Sequence, residues 1–282
     1  MTLGESLARG EAQLRAGPHP DKARRDAETL LLHLIGKNRA WLLSHLDDDF
    51  AGCRSIGYAG LLDRRFRGEP IQYITGQTEF YGLPLRVTPD VLIPRPETEH
   101  LVEEVLKRGA ARSTPRIVDV GTGSGAIAIA LAHEWPNAQL TVIDRSEKAL
   151  AVARDNAQRT GFAERIRFLH GDLLAPVAAE QFEMVVSNPP YVPAADRDSL
   201  AVEVREYEPA LALFAGDDGL DVYRRLVPQA RAVLAPGGLV VLEIGFGQAQ
   251  AVEQLLTETG FTEIELAQDL QGIPRVVTAH RS

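Results

Sequence analysis

Cysteines and long apolar runs are nearly absent from the sequence. Of its 282 residues one, Cys53, is a cysteine, so the chain cannot form an internal disulfide. The seven histidines show no spacing typical of a zinc site, and no stretch reaches the roughly 18 apolar residues of a membrane-spanning helix. Glu5 and Glu11 interrupt the first 20 residues, which lack the apolar core of a signal peptide. We therefore expect a cytoplasmic protein with no membrane segment and no metal.

An excess of positive charge is absent too. The net charge is −9, from 30 basic and 39 acidic residues, and the acidic excess lies entirely in residues 91–282. Proteins that bind nucleic acids usually present a basic face, because contacts with phosphates supply most of their non-specific affinity. We therefore expect no direct nucleic-acid partner. The apolar share of 45% and the charged share of 24% are those of an ordinary globular protein, long enough for two domains.

Residues 1–68 have a helical pattern. Short amphipathic segments follow one another there, separated by glycine, proline or aspartate. Ala27, Leu30, Leu31 and Leu34 have the i, i+3, i+4, i+7 spacing of one apolar helix face. The pattern predicts a small helical bundle as the N-terminal domain. The residues alone leave its role open between a structural cap and the recognition of a partner.

Residues 69–98 change character. β-branched and aromatic residues alternate with polar ones, and a Gly-Leu-Pro sequence separates two extended pieces. This pattern predicts a β-hairpin linker. Pro96 then begins a helix with Glu97 and Glu99 in its first turn, where acids complement the helix dipole. A role of these two acids beside an active site is the alternative.

Beyond residue 98, short β-rich segments alternate with longer helical ones. Such alternation predicts an α/β domain over residues 99–282, in which helices cover a mostly parallel sheet. No helix separates the last two strands, so we expect one of them to run antiparallel to the rest. The predicted strands have the sequences RIVDV, QLTVIDR, RIRFLHG, FEMVVSN, GGLVVLEIG, TEIELA and RVVTAHR. Between the first five, the predicted helices have the sequences GAIAIALAHEW, SEKALAVARDNAQRT and GLDVYRRLVPQARAVLAP.

A glycine-rich loop follows the first of these strands. It consists of Gly121, Thr122, Gly123, Ser124 and Gly125. Alternate glycines let the backbone turn sharply and approach a ligand closely at the positive end of a helix. The second strand ends at Asp144, where a carboxylate can accept hydrogen bonds from the two hydroxyls of a ribose. Together these features predict a nucleoside-containing cofactor, bound by the five loop residues and Asp144, and leave NAD and S-adenosylmethionine both open.

The third strand ends at a further pair of candidate residues, Asp172 and Leu173, on the same edge of the sheet. An acid at this place can accept a hydrogen bond from the exocyclic amine of adenine, and an apolar neighbour can pack on the ring. We therefore expect both residues to bind the cofactor. The alternative is that Asp172 only caps a turn or a helix.

The fourth strand runs into the loop Asn188, Pro189, Pro190 and Tyr191. Two consecutive prolines fix the backbone and cannot donate hydrogen bonds, so the loop is rigid and rich in acceptors. The Asn188 side-chain oxygen and the Pro189 carbonyl suit a planar NH2 group, and the Tyr191 ring offers it a flat surface. A structural turn is the alternative. We expect Asn188, Pro189 and Tyr191 to be catalytic, all four residues to bind the substrate, and Asn188 also to contact the cofactor.

In this order, the glycine loop, Asp144 and Asn-Pro-Pro-Tyr resemble the class I S-adenosylmethionine-dependent methyltransferases that act on nitrogen. The strings QYITGQTEFYGLPLRVTPDVLIPRPETE, DVGTGSGAIAIALA and VSNPPYVP narrow the resemblance to the HemK/PrmC family over residues 70–282. Members of that family methylate the glutamine of the Gly-Gly-Gln motif in class 1 peptide chain release factors. The resemblance implies a Rossmann-like methyltransferase domain, S-adenosylmethionine as cofactor, S-adenosylhomocysteine as product, and release factors as partners of a monomeric enzyme.

The chemistry expected at this site needs no general base. An amide nitrogen is a weak nucleophile, and two acceptors on its N–H bonds aim its lone pair at the methyl group and stabilise the developing charge. Methylation of an exocyclic amine of adenine or guanine in RNA or DNA can use the same acceptors and is the main alternative. An NAD-dependent dehydrogenase leaves Asn-Pro-Pro-Tyr unexplained, and a non-catalytic binding module leaves the acceptors unused. We expect residues 1–68 to orient the release factor.

Overall fold

The computed structural model describes all 282 residues. The α-helices are α1 (Leu3–Arg15), α2 (Ala23–Ile35), α3 (Arg39–Ser44), α4 (Cys53–Phe66), α5 (Ile71–Thr75), α6 (Glu97–Gly109), α7 (Ala126–Glu134), α8 (Glu147–Thr160), α9 (Val202–Arg205), α10 (Asp221–Val233) and α11 (Ala249–Glu258). The β-strands are β1 (Gln77–Phe80), β2 (Leu83–Arg86), β3 (Arg116–Val120), β4 (Gln139–Asp144), β5 (Ile166–His170), β6 (Phe182–Ser187), β7 (Leu234–Glu243), β8 (Phe261–Gln268) and β9 (Pro274–Arg281).

The chain divides into two compact units. The helical unit contains Met1–Gln77 together with Leu200–Tyr207, and the sheet unit contains Thr78–Ser199 and Glu208–Ser282. The helical unit is therefore assembled from two separate parts of the chain. None of the helices combines the length and the apolar character that crossing a membrane requires.

Helices α1 to α5 make up most of the helical unit. The N-terminus of α1 is a capping box, in which Thr2 and Glu5 each accept a hydrogen bond from the other residue's backbone N–H. Ala27, Leu30 and Leu31 of α2 are fully buried, as their helical spacing predicts. They join a core whose other members include Leu3, Leu7, Leu14, Leu42, Phe50, Tyr58 and Leu62.

A buried charged pair lies inside the helical unit. Arg65 of α4 and Asp26 of α2 are 2% and 1% exposed, and Arg65 Nε donates to Asp26 Oδ2 at 2.7 Å. Arg65 also donates to Glu203 of α9 at 2.9 Å, and Lys22 approaches the same carboxylate at 3.1 Å. The segment Leu200–Tyr207 is therefore held in this unit by ion pairs with helices far away in sequence.

The predicted linker contains a hairpin and one unpredicted helix. Strands β1 and β2 pair with each other, and the connecting residues Tyr81 and Gly82 have φ of 53° and 71°. Positive φ at both positions is the geometry of a tight two-residue hairpin turn. Oε1 of Glu99 accepts the backbone N–H of Tyr81 at 2.8 Å and so fastens this turn to α6. The piece before the hairpin is helical, as α5, and not extended.

Seven strands form the main sheet, as the alternating pattern predicts. Their order is β5-β4-β3-β6-β7-β9-β8, and β3 to β7 are parallel to one another. Strand β9 runs antiparallel to both β7 and β8, so the expected antiparallel strand is the last one. The strand order reverses at β3, which pairs with β4 on one side and β6 on the other. A ligand crevice is expected outside the carboxyl ends of strands at such a reversal.

Candidate active site

The glycine loop lies between β3 and α7 at the carboxyl edge of the sheet. Gly121, Gly123 and Gly125 have φ of 73°, 55° and 83°, values that residues with a Cβ rarely adopt. A Cβ added to Gly121 or Gly123 would meet no atom of the chain within 4 Å. At Gly125 the added Cβ would meet Ala153 at 3.1 Å, because α8 packs closely there. The first two glycines thus leave room for a ligand, and the third leaves room for a helix.

The side chains between these glycines turn into the protein. Thr122 is buried and donates its hydroxyl hydrogen to Oδ2 of Asp119 at 2.6 Å. Oδ1 of Asp119 is buried without a partner, and burial raises the pKa of this carboxyl to about 7. The carbonyl of Ser124 accepts from Nδ2 of Asn156 at 2.9 Å, and Asn156 also bonds the backbone of Arg86. Thr122 and Ser124 therefore hold the loop in shape.

Asp144 lies beside the loop at the end of β4. Its Oδ2 accepts the N–H of Gly123 at 2.9 Å, and its Oδ1 accepts the N–H of Ser146 at 2.8 Å. Burial raises the pKa of Asp144, against the effect of these hydrogen bonds. Each carboxylate oxygen has a second lone pair. Asp144 therefore positions the glycine loop and can still accept from the hydroxyls of a ligand.

One cavity collects most of the site residues predicted from the sequence. Those that line it are Gly121, Gly123, Asp144, Asp172, Leu173, Asn188 and Pro190. The predicted residues that do not line it are Thr122, Ser124, Gly125, Pro189 and Tyr191. The loops after β3, β4, β5 and β6 therefore meet at one place, as expected for the carboxyl edge of a parallel sheet.

The cavity lining fits a nucleoside cofactor such as S-adenosylmethionine. Ile143, Leu211 and Phe214 supply an apolar wall for a planar base. The carboxylate of Asp144 can receive ribose hydroxyls, and the open space at Gly121 lets a ligand lie against the backbone. These features do not by themselves decide between the two nucleoside cofactors that the sequence left open.

Asp172 and Leu173 line the cavity after β5. The carboxylate of Asp172 pairs with the guanidinium of Arg225, so this acid is already engaged in an ion pair. Leu173 has a φ of 51°, a left-handed conformation that is costly for a residue with a Cβ. Oε1 of Gln229 accepts the N–H of Leu174 at 3.1 Å and supports this turn. The contact of Asp172 and Leu173 with adenine remains a prediction.

Asn188 follows β6 and faces α6. Its Nδ2 donates to Oγ1 of the buried Thr98 at 3.0 Å, which leaves Oδ1 on the opposite side of the amide. Neither this Oδ1 nor the carbonyl oxygen of the buried Pro189 accepts a hydrogen bond from the chain. The two acceptors that the sequence singled out are therefore both free to receive a donor.

Tyr191 is fixed by close packing. Nε2 of Gln248 donates to its carbonyl oxygen at 2.9 Å, while Oε1 of Gln248 accepts the N–H of Gly245 at 3.1 Å. A Cβ at Gly245 would come within 2.9 Å of the Tyr191 ring, and one at Gly219 within 2.2 Å of its carbonyl oxygen. The loop after β6 is thus rigid beyond its two prolines, and a flat contact between Tyr191 and a substrate remains a prediction.

Glu243, the last residue of β7, is a neighbour that sequence reasoning missed. It is 2% exposed, and the hydroxyl of Tyr191 donates to its Oε1 at 3.4 Å. Burial raises the pKa of Glu243 to about 7, although the neighbouring hydroxyls of Thr98 and Tyr191 lower it. Burial also raises the pKa of Tyr191, so its phenol stays neutral at physiological pH. Glu243 ends a strand at the same edge of the sheet as Asn188. A polar residue at the carboxyl end of a parallel strand is a candidate site residue, as Asp144 was, and this signal could have found Glu243.

Sequence reasoning considered the two acids on either side of Thr98, Glu97 and Glu99, but not Thr98 itself. Glu97 is exposed, and its negative charge contributes to the raised pKa of Glu243. Glu99 holds the hairpin turn through Tyr81. Thr98 lies between them and points into the site, because consecutive residues of a helix point in different directions.

Fold and site together define a class I methyltransferase. Residues 96–205 match the family model described as methyltransferase small domain, and residues 5–76 match that described as PrmC N-terminal domain. A methyltransferase from Pyrococcus furiosus has a similar fold, with a TM-score of 0.53 over 71% of this chain and 90% of that one at 19% identity. The expected fold class is confirmed.

Curated relatives narrow the class to one family. The release factor glutamine methyltransferase of Geobacter sulfurreducens is 45% identical over 91% of this chain and 89% of its own length. That of Moorella thermoacetica is 43% identical over 100% of this chain and 99% of its own length. The chain belongs to the family of release factor glutamine methyltransferases, the HemK/PrmC family that its sequence resembles. It is an S-adenosylmethionine-dependent methyltransferase.

Proposed function

We propose that the protein methylates the side-chain amide nitrogen of the glutamine in the Gly-Gly-Gln motif of class 1 peptide chain release factors. S-adenosylhomocysteine is the product. The names of the curated relatives support a release factor as substrate. The observation that carries the proposal is the pair of free acceptors, Oδ1 of Asn188 and the carbonyl of Pro189, at the loop that lines the cavity.

The residues around the cavity have separate parts in binding the cofactor. When bound, S-adenosylmethionine supplies a reactive methyl group on a positively charged sulfur. Gly121 and Gly123 would hold its amino-acid part against the N-terminus of α7, and Asp144 would bind the ribose. Asp172 and Leu173 would contact the adenine from the loop after β5.

The acceptor pair acts on the substrate nitrogen. Oδ1 of Asn188 and the carbonyl of Pro189 each accept one N–H of the amide, which aligns the nitrogen lone pair with the methyl carbon. The same two dipoles stabilise the positive charge that develops on nitrogen during transfer, because they are fixed before the reaction begins. One of the two protons that the amide nitrogen already carried leaves afterwards to solvent, since a positively charged nitrogen is strongly acidic. The reaction therefore needs neither a general base nor a metal.

The shape of the substrate follows from the position of the acceptors. A glutamine side chain is short, so its backbone must come close to Asn188. The two glycines that precede the glutamine carry no side chains to collide with the protein, and a narrow exposed loop can therefore reach the site. We propose that residues 1–68 form the domain that orients the folded release factor, residues 69–98 the linker, and residues 99–282 the methyltransferase domain.

The proposed reaction is tested by incubating the protein with methyl-labelled S-adenosylmethionine and a purified class 1 release factor, followed by mass mapping of peptides. We expect one methyl group, on the glutamine of Gly-Gly-Gln. Asn188→Ala is the matched control, because it removes one acceptor and should nearly abolish the label. Labelling of an RNA or DNA oligomer in place of the release factor would replace the proposed substrate by a nucleic-acid amine.

The proposed role of the N-terminal domain in orienting the release factor is tested separately with Ile56→Glu on α4. Ile56 is an exposed apolar residue of the helical unit, so its replacement should not disturb the core. We expect KM for the intact release factor to rise while KM for a short Gly-Gly-Gln peptide stays the same, because the peptide lacks the remote contacts. Equal effects on protein and peptide, or none on either, would argue against recognition through this face.

A further inference from the structure

The polar groups behind Asn188 form a chain that ends at a carboxylate. Nδ2 of Asn188 donates to Oγ1 of Thr98 at 3.0 Å, and the Thr98 hydroxyl faces the carboxyl group of Glu243, whose pKa it lowers. The hydroxyl of Tyr191 reaches the same carboxylate at 3.4 Å. Thr98 is 4% exposed and Glu243 2% exposed, so water does not compete for these bonds. Both ends of the loop after β6 are thus connected to Glu243.

The order of donors and acceptors in this chain is determined by its last member. An ionised carboxylate can only accept hydrogen bonds, and a threonine hydroxyl has a single hydrogen to donate. When Thr98 gives that hydrogen to Glu243, its oxygen can only accept from Asn188. The NH2 side of the Asn188 amide must then face Thr98, and Oδ1 must face the other way.

The orientation of this amide matters for the reaction. With Oδ1 outward, Asn188 accepts an N–H from the substrate. With the amide turned by 180°, its NH2 group would meet the NH2 group of the substrate, and two donors would face each other. Asparagine alone does not distinguish these orientations, because its oxygen and nitrogen have nearly the same size and shape.

We propose that Thr98 and Glu243 are positioning residues that hold the Asn188 amide with its oxygen toward the substrate. This inference rests on the proposed function in one respect, namely that the substrate group is an amide or amine that donates hydrogen bonds to Asn188. It gives a role to Thr98, which lies between Glu97 and Glu99 on α6, and to Glu243, the last residue of β7.

The charge of Glu243 makes the orientation sensitive to pH. Its pKa is raised to about 7, mainly by burial. Above that pH the carboxylate accepts from Thr98 and the chain has the productive direction. Below it, a protonated Glu243 can donate to Thr98, and Thr98 can then donate to Oδ1 of Asn188, which turns the amide. The titratable or charged groups that face Glu243 are Glu97 on α6, Tyr191 in the loop after β6, Tyr223 on α10 and Arg275 on β9.

The first test compares three threonine variants. Thr98→Val removes the hydroxyl at constant shape, and we expect kcat to fall about 10- to 100-fold, the usual effect of losing a residue that orients a catalytic group. Binding of S-adenosylhomocysteine should stay unchanged, and Thr98→Ser should restore most of kcat. Thr278→Val is the matched control, because Thr278 on β9 is 1% exposed and its hydroxyl has no partner. This control should have the kcat of the unmodified protein.

The second test is the pH profile of kcat. In the unmodified protein kcat should rise with pH and level off above about pH 7, as Glu243 ionises. Glu243→Gln should lower kcat and remove this step, because a glutamine NH2 group can donate to Thr98 at every pH. A purely structural role of Glu243 would lower kcat or stability without removing the step.

A third measurement does not depend on turnover and keeps the inference separate from the proposed function. The side-chain NH2 signals of Asn188, assigned by comparison with Asn188→Asp, report by NMR whether one hydrogen is bonded to Thr98. They should shift in Thr98→Val and stay in place in Thr278→Val. If the signals shift in Thr98→Val but the unmodified protein does not methylate release factors, only the proposed function is refuted. An unshifted signal, or an unchanged kcat in Thr98→Val, would refute the positioning role.

Discussion

The replacement Gly121→Ala separates two roles of a glycine in the cofactor loop, namely its left-handed backbone and the space that it leaves for the cofactor. Gly121 has a φ of 73°, and a Cβ placed on it would meet no atom of the chain within 4 Å. The alanine therefore fits the protein sterically but must adopt a left-handed backbone, and its methyl group projects toward the space assigned to the cofactor. Stability and binding should both suffer, for different reasons.

The size of each effect can be worked out from the geometry. A residue with a Cβ in the left-handed region costs about 1–2 kcal/mol, so the free energy of unfolding should fall by that amount. An extra methyl group in a well-packed contact costs about 1–3 kcal/mol. At 1.4 kcal/mol for each factor of ten, the cofactor should bind roughly 5- to 150-fold more weakly.

Gly161→Ala is the matched control for this experiment. Gly161 caps the C-terminus of α8 with a φ of 83°, it is exposed, and an added Cβ there also meets nothing within 4 Å. Its replacement should therefore cause the same loss of stability. It lies outside the cavity, so it should leave binding of the cofactor unchanged.

The assay combines urea unfolding of both variants with calorimetric titration of S-adenosylhomocysteine. We expect two variants of similar stability of which only Gly121→Ala binds weakly. If Gly121→Ala bound S-adenosylhomocysteine as tightly as the unmodified protein, the cofactor would not lie against this part of the loop. Equal weakening in Gly161→Ala would show that the loss of affinity comes from destabilisation.

Three further predictions concern other parts of the molecule. Asn188→Ala should lower kcat on the release factor about 100-fold, the effect of losing one fixed polar group from a transition state, with little change in cofactor affinity by calorimetry. The free energy of unfolding should decrease as the pH rises from about 4 to about 7, because the folded protein holds protons on Asp119 and Glu243 that the unfolded chain releases. Asp119→Asn should weaken this dependence in urea unfolding at pH 5 and pH 7.5. Arg65→Met should lower the free energy of unfolding by about 3–5 kcal/mol, since it takes away the hydrogen-bonded partner of the buried Asp26, and adding Asp26→Leu should recover most of the loss.

Each of these predictions has an outcome that contradicts it. A kcat near normal in Asn188→Ala would remove the acceptor pair from the mechanism. A stability that rises between pH 5 and pH 7.5 would show that the two buried carboxyls are ionised in the folded protein at low pH. A double variant at Arg65 and Asp26 no more stable than Arg65→Met would show that the charged pair is not the reason for the loss.

The fold was predictable where local pattern determines it. The seven main strands and the helices of the alternating pattern form as their periodicity predicts, and the strand without a preceding helix is the antiparallel one. Three helices were missed. α5 and α9 are only five and four residues long, too short to show a helical period. α11 buries only two residues, Val252 and Leu256, so its apolar face is narrow.

The site was predictable where a residue ends a strand. Position at the carboxyl edge predicted the glycine loop, Asp144 and Asn188, which meet at one cavity. Thr98 could not be found in this way, because it lies on a helix 90 residues before its partner Asn188. The pairing of Asp172 with Arg225, 53 residues apart, is likewise absent from any local pattern. Contacts of this kind depend on how the elements pack, which the sequence of one element does not contain.

The ion pairs of Glu203 have a consequence for synthesis on the ribosome. Glu203 lies 138 residues after its partner Arg65. At about 5–20 residues per second, translation needs roughly 7 to 28 seconds to cover that distance. During this time the nascent helices hold Arg65 and Asp26 without the segment that completes them, while β3 to β6 of the sheet emerge. The unit that is translated first is thus completed only after the hairpin and four strands of the main sheet of the other unit have left the ribosome.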